Sequence, residues 1–194
     1  MEYFARFEEK DGHLFRFDTR IYLDSLNPDA ASVCIGAIVG KNPGSASPTA
    51  LKKFVPIDLN GDKMLPTVGN RFIEGYRRAK KPVPSNAFVR VWNLFYVCNR
   101  DLGEALWVAS KLSSLPTCPS ESDSVLVVWY GWGGADADLN PYKARFLKRK
   151  HKTQFFYDHR SAKIAQNAPA VSDFAKHTQG MPAEPVVQYL AGIL

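Results

Sequence analysis

The sequence predicts an α/β protein, a three-layer αβα sandwich built on a small, about four-stranded parallel sheet with an added N-terminal β-hairpin. Apolar runs at 33–39, 87–92 and 124–130 are continuous rather than alternating, as in strands buried on both faces. Segments of helical pattern separate them, which gives a β-α-β-α-β-α-β series and hence a parallel sheet with helices on both faces. The chain of 194 residues, 45% hydrophobic and 12% aromatic, fits a single domain able to bury roughly two-thirds of its unfolded surface. Residues 1–194 are therefore read as one domain, with 1–27 as a hairpin extension.

The elements follow in order. Residues 3–9 and 12–18 read as strands joined at Lys10-Asp11-Gly12, where Asp-Gly supplies the positive φ angles of a tight turn. Arg16-Phe17-Asp18 leads into Ile21-Tyr22-Leu23, and Asp29 is placed to begin a short helical turn before the strand at 33–39. Gly, Ser, Pro and Asp crowd 44–68, which reads as a long loop with one short helix over 49–54. A loop of that length in a compact domain is usually functional or mobile. A helix over 69–81 stops before Pro82 and Pro84. Strand 87–92 is followed by a helix near 101–112, capped by Asp101 and apolar along Leu102, Ala105, Leu106, Ala109 and Leu112. Strand 124–130, a helix near 138–150 and a short strand at 153–157 complete the series. Residues 158–185 give no single pattern, and 186–194 are apolar enough to dock as a helix.

Composition narrows the function classes. No stretch approaches the ~20 apolar residues of a membrane span, and Met1-Glu2-Tyr3-Phe4-Ala5-Arg6 lacks the layout of a signal peptide. Cys34, Cys98 and Cys118 form no CxxC pair, so a reducing cytoplasm is expected, with Cys34 as core filler. Nothing in the sequence requires a protein partner, and a monomer is expected. The GxxxxGK[ST], GxGxxG, HExxH and GxSxG patterns are all missing, so neither a cofactor nor a metal is expected. The four histidines, His13, His151, His159 and His177, are scattered and read as surface residues.

A net charge of +6 suits a polyanionic partner, here DNA. Its distribution is more specific than its size. Arg71, Arg77, Arg78, Lys80 and Lys81 crowd one segment, and Lys143, Arg145, Lys148, Arg149, Lys150 and Lys152 another. Such clusters neutralise phosphates. Of these, Arg71, Arg77, Arg78, Lys148, Arg149, Lys150 and Lys152 are the expected DNA clamps. The neighbouring Phe155, Phe156 and Tyr157 read as a core strand.

The strand ends carry the candidate chemistry. Ligands bind open α/β sheets beyond the carboxyl ends of the strands, where this chain places Asn42, Asn93 and the glycine-rich Gly131-Trp132-Gly133-Gly134. A carboxamide both donates and accepts, so it suits a nucleobase edge or an oriented water, yet it cannot act as a general base. Phe54 and Trp132 are candidate stacking surfaces, Trp132 foremost because it stands between glycines.

These residues resemble a known family. Gly40-Lys41-Asn42-Pro43-Gly44 resembles the first active-site motif of the uracil-DNA glycosylase superfamily, in the asparagine-proline form of its mismatch-specific uracil and thymine branch. The ordered set Asn42-Pro43, Pro48-Thr49, Asn93-Leu94-Phe95, Trp129-Tyr130-Gly131 and the proline-rich turn at 180–185 resembles still more closely a bacterial and phage family with those motifs. The resemblance implies a four-stranded parallel sheet between helices and hydrolysis of an N-glycosidic bond, without metal or nucleotide cofactor. By motif position, Asn42 would orient the water, Asn93, Pro43 and Gly44 would face the extruded base, and Pro182 and Glu184 would bear on the DNA strand. Glu184 stands where these families often place a histidine, so leaving-group stabilisation would pass to Lys41 or to backbone amides. The expected activity is a monofunctional DNA glycosylase acting on a flipped-out modified or mismatched pyrimidine. By analogy with anti-phage glycosylases, a hypermodified cytosine of phage DNA is one such base. The alternatives are a non-catalytic DNA-binding module and an enzyme of free nucleosides or nucleotides.

Overall fold

The computed structural model describes residues 1–25, 31–44, 47–48, 50–51, 53–134 and 136–194. The expected turn at Asp29 and part of the expected helix at 49–54 lie outside these residues. Strands β1 (Glu2–Lys10) and β2 (His13–Tyr22) form the hairpin, with Asp11 at φ 53° in its turn. Next come β3 (Val33–Gly40), the two-residue β4 (Ser47–Pro48) and β5 (Phe54–Asp58). Helix α1 (Met64–Arg78) leads to β6 (Ala87–Asn93), then α2 (Leu102–Lys111) and β7 (Val128–Tyr130). Helix α3 (Asn140–Leu147), β8 (Gln154–Asp158), β9 (Lys163–Ala165) and α4 (Ala183–Ile193) complete the chain.

Among the described residues, eight strands in the order β5-β1-β2-β6-β3-β7-β8-β9 make one mixed sheet, and β4 pairs with the outer edge of β5. Strands β6, β3, β7 and β8 run parallel, as their apolar runs predict. The sheet is larger than four strands, and the hairpin is part of it rather than an extension. Residues Thr19–Tyr22 of β2 pair with β6 antiparallel, and Thr19, Ile21 and Tyr22 are buried there.

The long predicted loop is also shorter than expected. The sequence Phe54-Val55-Pro56-Ile57-Asp58 alternates exposed and buried, a strand pattern, and α1 begins five residues before the predicted start. Pro66 falls in the first turn of α1, where no intrahelical bond needs its N–H. Residues 158–185 are stitched back by β9 against β8 and by bridges from Ala175 to Gly133 and Asp158.

Alternate residues of one strand face opposite sides of a sheet, and two core clusters result. Ile38, Val89, Val91 and Trp129 pack with α1 and α4, while Ala37, Val39, Trp92 and Tyr130 pack with α2 and α3. Leu65, Val68 and Phe72 of α1 are fully buried, each stabilising the fold by about 1.5–3 kcal/mol. Phe155, Phe156 and Tyr157 are core, as read from the sequence.

Connectivity fixes which ends meet. Helix α1 starts at the carboxyl ends of β3 and β6 and runs back to the start of β6. Helix α3 likewise runs from the end of β7 back to the start of β8. No described helix is long and apolar enough to cross a membrane.

Candidate functional site

Gly40 pairs in register with Asn93, and the amides of Leu94 and Phe95 donate to the carbonyls of Gly40 and Lys41 at 3.0 and 3.3 Å. Asn42 and Asn93 therefore stand on one rim of the sheet. Beyond that rim lies a cleft of about 380 Å³. Asn42, Pro43 and Gly44 form one wall, and Asn60, Gly61, Asp62 and Met64 another. Arg100, His177 and Gln179 close it. The volume suits one small ring rather than a polymer.

The Asn42 Nδ2 donates to the Asn99 carbonyl at 2.8 Å, which fixes the amide and leaves its Oδ1 to accept from a water or ligand. Asp62 Oδ1 accepts from the Met64 N–H at 2.7 Å at the start of α1. Among the described residues its Oδ2 has no hydrogen-bond partner. Asp62 is the one carboxylate that lines the cleft among the described residues. His177 Nδ1 accepts from the Gln179 N–H at 3.3 Å, so the neutral ring carries its proton on Nε2. Burial lowers the His177 pKa, the nearby Lys41 ammonium lowers it further, and Asp62 opposes them in part. A neutral imidazole that donates from Nε2 results.

Lys41 reaches across the rim to Gly133. A Cβ at Gly133, whose φ is 90°, would meet Lys41 Cε at 2.9 Å, so glycine is needed here for conformation and for space. The buried Lys143 ties the next turn down. Its Nζ donates to the carbonyls of Val171, Asp136 and Gly134 and to Asn140 Oδ1 at 3.1–3.5 Å. Burial and the Lys41 charge hold the Lys143 pKa below the ordinary lysine value.

Asn93 is fully buried, and neither its Oδ1 nor its Nδ2 has a partner among the described residues. A Cβ at Gly40 would lie 3.2 Å from Asn93 Oδ1 and 3.7 Å from Met64 Cε. The missing side chain thus keeps Asn93 next to the cleft-lining Met64. From the other face, Arg145 Nη2 donates to the carbonyls of Asn93 and Leu94, both at 3.0 Å. Arg145 is itself held by the buried Glu121, whose carboxylate also accepts from the Tyr96 hydroxyl at 2.6 Å.

Several sequence expectations need correction. Trp132 is not a stacking surface; it is fully buried against Tyr130, since the glycines around it let the chain turn inward. Phe54 lies on β5, stacked on Phe4 at 5.4 Å with the Arg20 guanidinium over its ring, and does not line the cleft. Lys148, Arg149, Lys150 and Lys152 follow α3 and precede β8, so they occupy the opposite rim, about 15–20 Å away by the length of a five-residue strand. The Arg149 guanidinium is engaged with Glu121. Arg77 and Arg78 end α1, paired with Glu74 and Glu184. Arg71, Arg78 and Glu184 line a groove between α1 and α4, and Pro182 precedes α4 at its N-terminus.

Asp62, Arg100, His177 and Gln179 escaped the sequence reading. For His177 a signal existed: it stands three residues before Gly180, ahead of the proline-rich turn, whereas Glu184 occupies the place near the last proline where the resembled families often carry a histidine. Among the described residues, no three His, Cys, Asp or Glu side chains gather as a metal site. Comparison with protein-family models, curated proteins and solved structures returned no match.

Proposed function

We propose that this chain is a monofunctional DNA glycosylase, a cytoplasmic monomer with three-layer architecture, whose cleft takes one flipped-out modified or mismatched pyrimidine. The observation that carries the reading is the convergence of Asn42, Asp62 and His177 on one small cleft at the carboxyl ends of the parallel strands. In the hydrolysis, Asn42 Oδ1 holds a water and the water oxygen bonds to C1′ as the C1′–N bond breaks. The bonding pair leaves with the base, the water proton passes to Asp62, and His177 Nε2–H stabilises the departing anion. A well-placed donor at such a developing charge contributes about 3–4 kcal/mol. Lys63, exposed at the start of α1, and Arg100 replace the distant lysines as phosphate contacts at the mouth. Extrusion of the base costs a few kcal/mol, least for a mismatched or damaged one.

The test is abasic-site formation in oligonucleotides carrying uracil, mismatched thymine or glucosylated hydroxymethylcytosine, with Asn42→Ala and His177→Ala each slowing release at least a hundredfold. Normal DNA binding with no abasic product on any substrate sinks the enzymatic reading. A second reading, an enzyme of free nucleosides or nucleotides, is favoured by one observation: the basic run at 148–152 lies away from the cleft. It predicts release of a base from nucleosides at rates equal to those from DNA.

A further inference from the structure

In β2, every residue of Phe15-Arg16-Phe17 is buried, and Arg16 is 0% exposed. Phe15 and Phe17 join the core beside α2 and α3, so alternation turns Arg16 to the α1 face, the face on which Leu14 packs. Among the described residues no acceptor meets Arg16 Nε, Nη1 or Nη2. A guanidinium stays charged at neutral pH, and an uncompensated buried charge is strongly destabilising. An apolar residue of the same volume would make a more stable core. The charge persists where something outside the core meets it.

Position indicates what that is. Arg16 N–H donates to the Tyr96 carbonyl at 3.0 Å, and Cys98 N–H donates to the Leu14 carbonyl at 2.8 Å. The next carbonyl along, Asn99, holds the Asn42 amide, and Arg100 lines the cleft. Arg16 thus pairs along the segment that holds Asn42 and brings Arg100 to the cleft. Burial disfavours the Arg16 charge, Cys98 and then the cleft-lining Asp62 favour it, yet no salt bridge forms among the described residues. Asn93 is a second buried, unpartnered polar group on the same face, next to Met64. Other buried charges differ: Glu121 has two arginines, and Lys143 has four oxygen acceptors.

We propose that the cleft binds an oxyanion of its ligand on a floor formed by Arg16 and Asn93, with Arg16 supplied by the N-terminal hairpin. The oxyanion is an acidic substituent of a planar base or a nucleotide phosphate. The inference rests on this cleft being the ligand site of the proposed function, but not on bond cleavage.

The test is calorimetric titration of the intact chain with orotate, inorganic phosphate and, as a neutral ring, uracil, against wild type, Arg16→Met and Arg16→Lys. At least one oxyanion binds wild type ten or more times tighter than either variant, and uracil does not distinguish them. Orotate alone identifies an acidic base, and phosphate alone a nucleotide. If Arg16→Met does not fold, Arg16→Lys carries the comparison, because it keeps the charge and loses the planar fork. No binding of either oxyanion to wild type, or equal binding to a folded variant, overturns the inference. Arg16-dependent binding without base release from any DNA leaves it standing and removes the glycosylase reading. Base release without such binding does the reverse.

Discussion

Glu121→Gln tests whether the α3 network holds the strand end that carries Asn93. The Glu121 side chain is 0% exposed and its Oε2 lies 3.0 Å from Arg145 Nε and 3.5 Å from Arg149 Nη2. An amide of the same shape removes the negative charge and sets an NH₂ group against two guanidinium groups. Breaking one side of a buried ion pair costs 3–5 kcal/mol; the arginine side chains are 20% and 31% exposed, so the lower end applies, about 3 kcal/mol. For a domain of this size that is a fall in Tm of about 6–12 °C. Thermal unfolding followed by circular dichroism, with urea titration at constant slope, measures it. Arg145→Met should cost a similar amount, and the double variant should lose clearly less than the two together, because the charges no longer need each other. Base release should fall in both single variants through Asn93. A loss under about 1 kcal/mol, or costs that simply add, would refute the argument.

Gly40→Ala should leave the fold intact and reduce turnover by about tenfold or more, because its Cβ would crowd Asn93 Oδ1 at 3.2 Å and small displacements at a reaction centre are costly; equal kcat in the variant rules that out. Burial lowers the pKa of both His151 and His177, helped by Arg149 and Lys41 respectively. The unfolded chain therefore takes up more protons as pH falls below about 6.5, so stability is intact above that value and is lost below it. Tm should drop between pH 7.5 and 5.5, and less in the doubly substituted His151→Gln/His177→Gln. Replacing Lys148, Lys150 and Lys152 together by Glu should change DNA affinity in filter binding less than Arg100→Ala does, since only Arg100 borders the cleft.

The parallel strands were legible because burial on both faces writes itself as uninterrupted apolar runs, as in Val33–Gly40. The shared rim of Asn42 and Asn93 followed from their places at strand ends. What was not legible depended on long-range contacts. The sequence Phe15-Arg16-Phe17 looks like an ordinary amphipathic strand, with a charged residue between two apolar ones, until it is seen flanked by β1 and the Tyr96–Cys98 segment. Asp62 fell in a stretch whose Gly, Pro and Asp content marked it as loop, although its alternation at 54–58 was already that of a strand. The basic run at 148–152 was read for its charge, but direction of the chain decides where it lies. A helix returning from a parallel strand must end at the rim opposite the ligand.

In the proposed hydrolysis, the charges at the cleft allow a non-titrating amide to stand where an aspartate would activate water more strongly. A second carboxylate beside Asp62 would set two like charges against each other in one site. It would also repel an anion leaving with the bonding pair. An asparagine at 42 avoids both effects and still orients a water. His177, kept neutral by burial and Lys41, would donate a hydrogen bond without having to lose a full charge as the proposed base departs. Arg16 supplies fixed positive charge from below. The proposed arrangement would weaken attack and strengthen departure, which suits a base that leaves readily as an anion over one that must be protonated first.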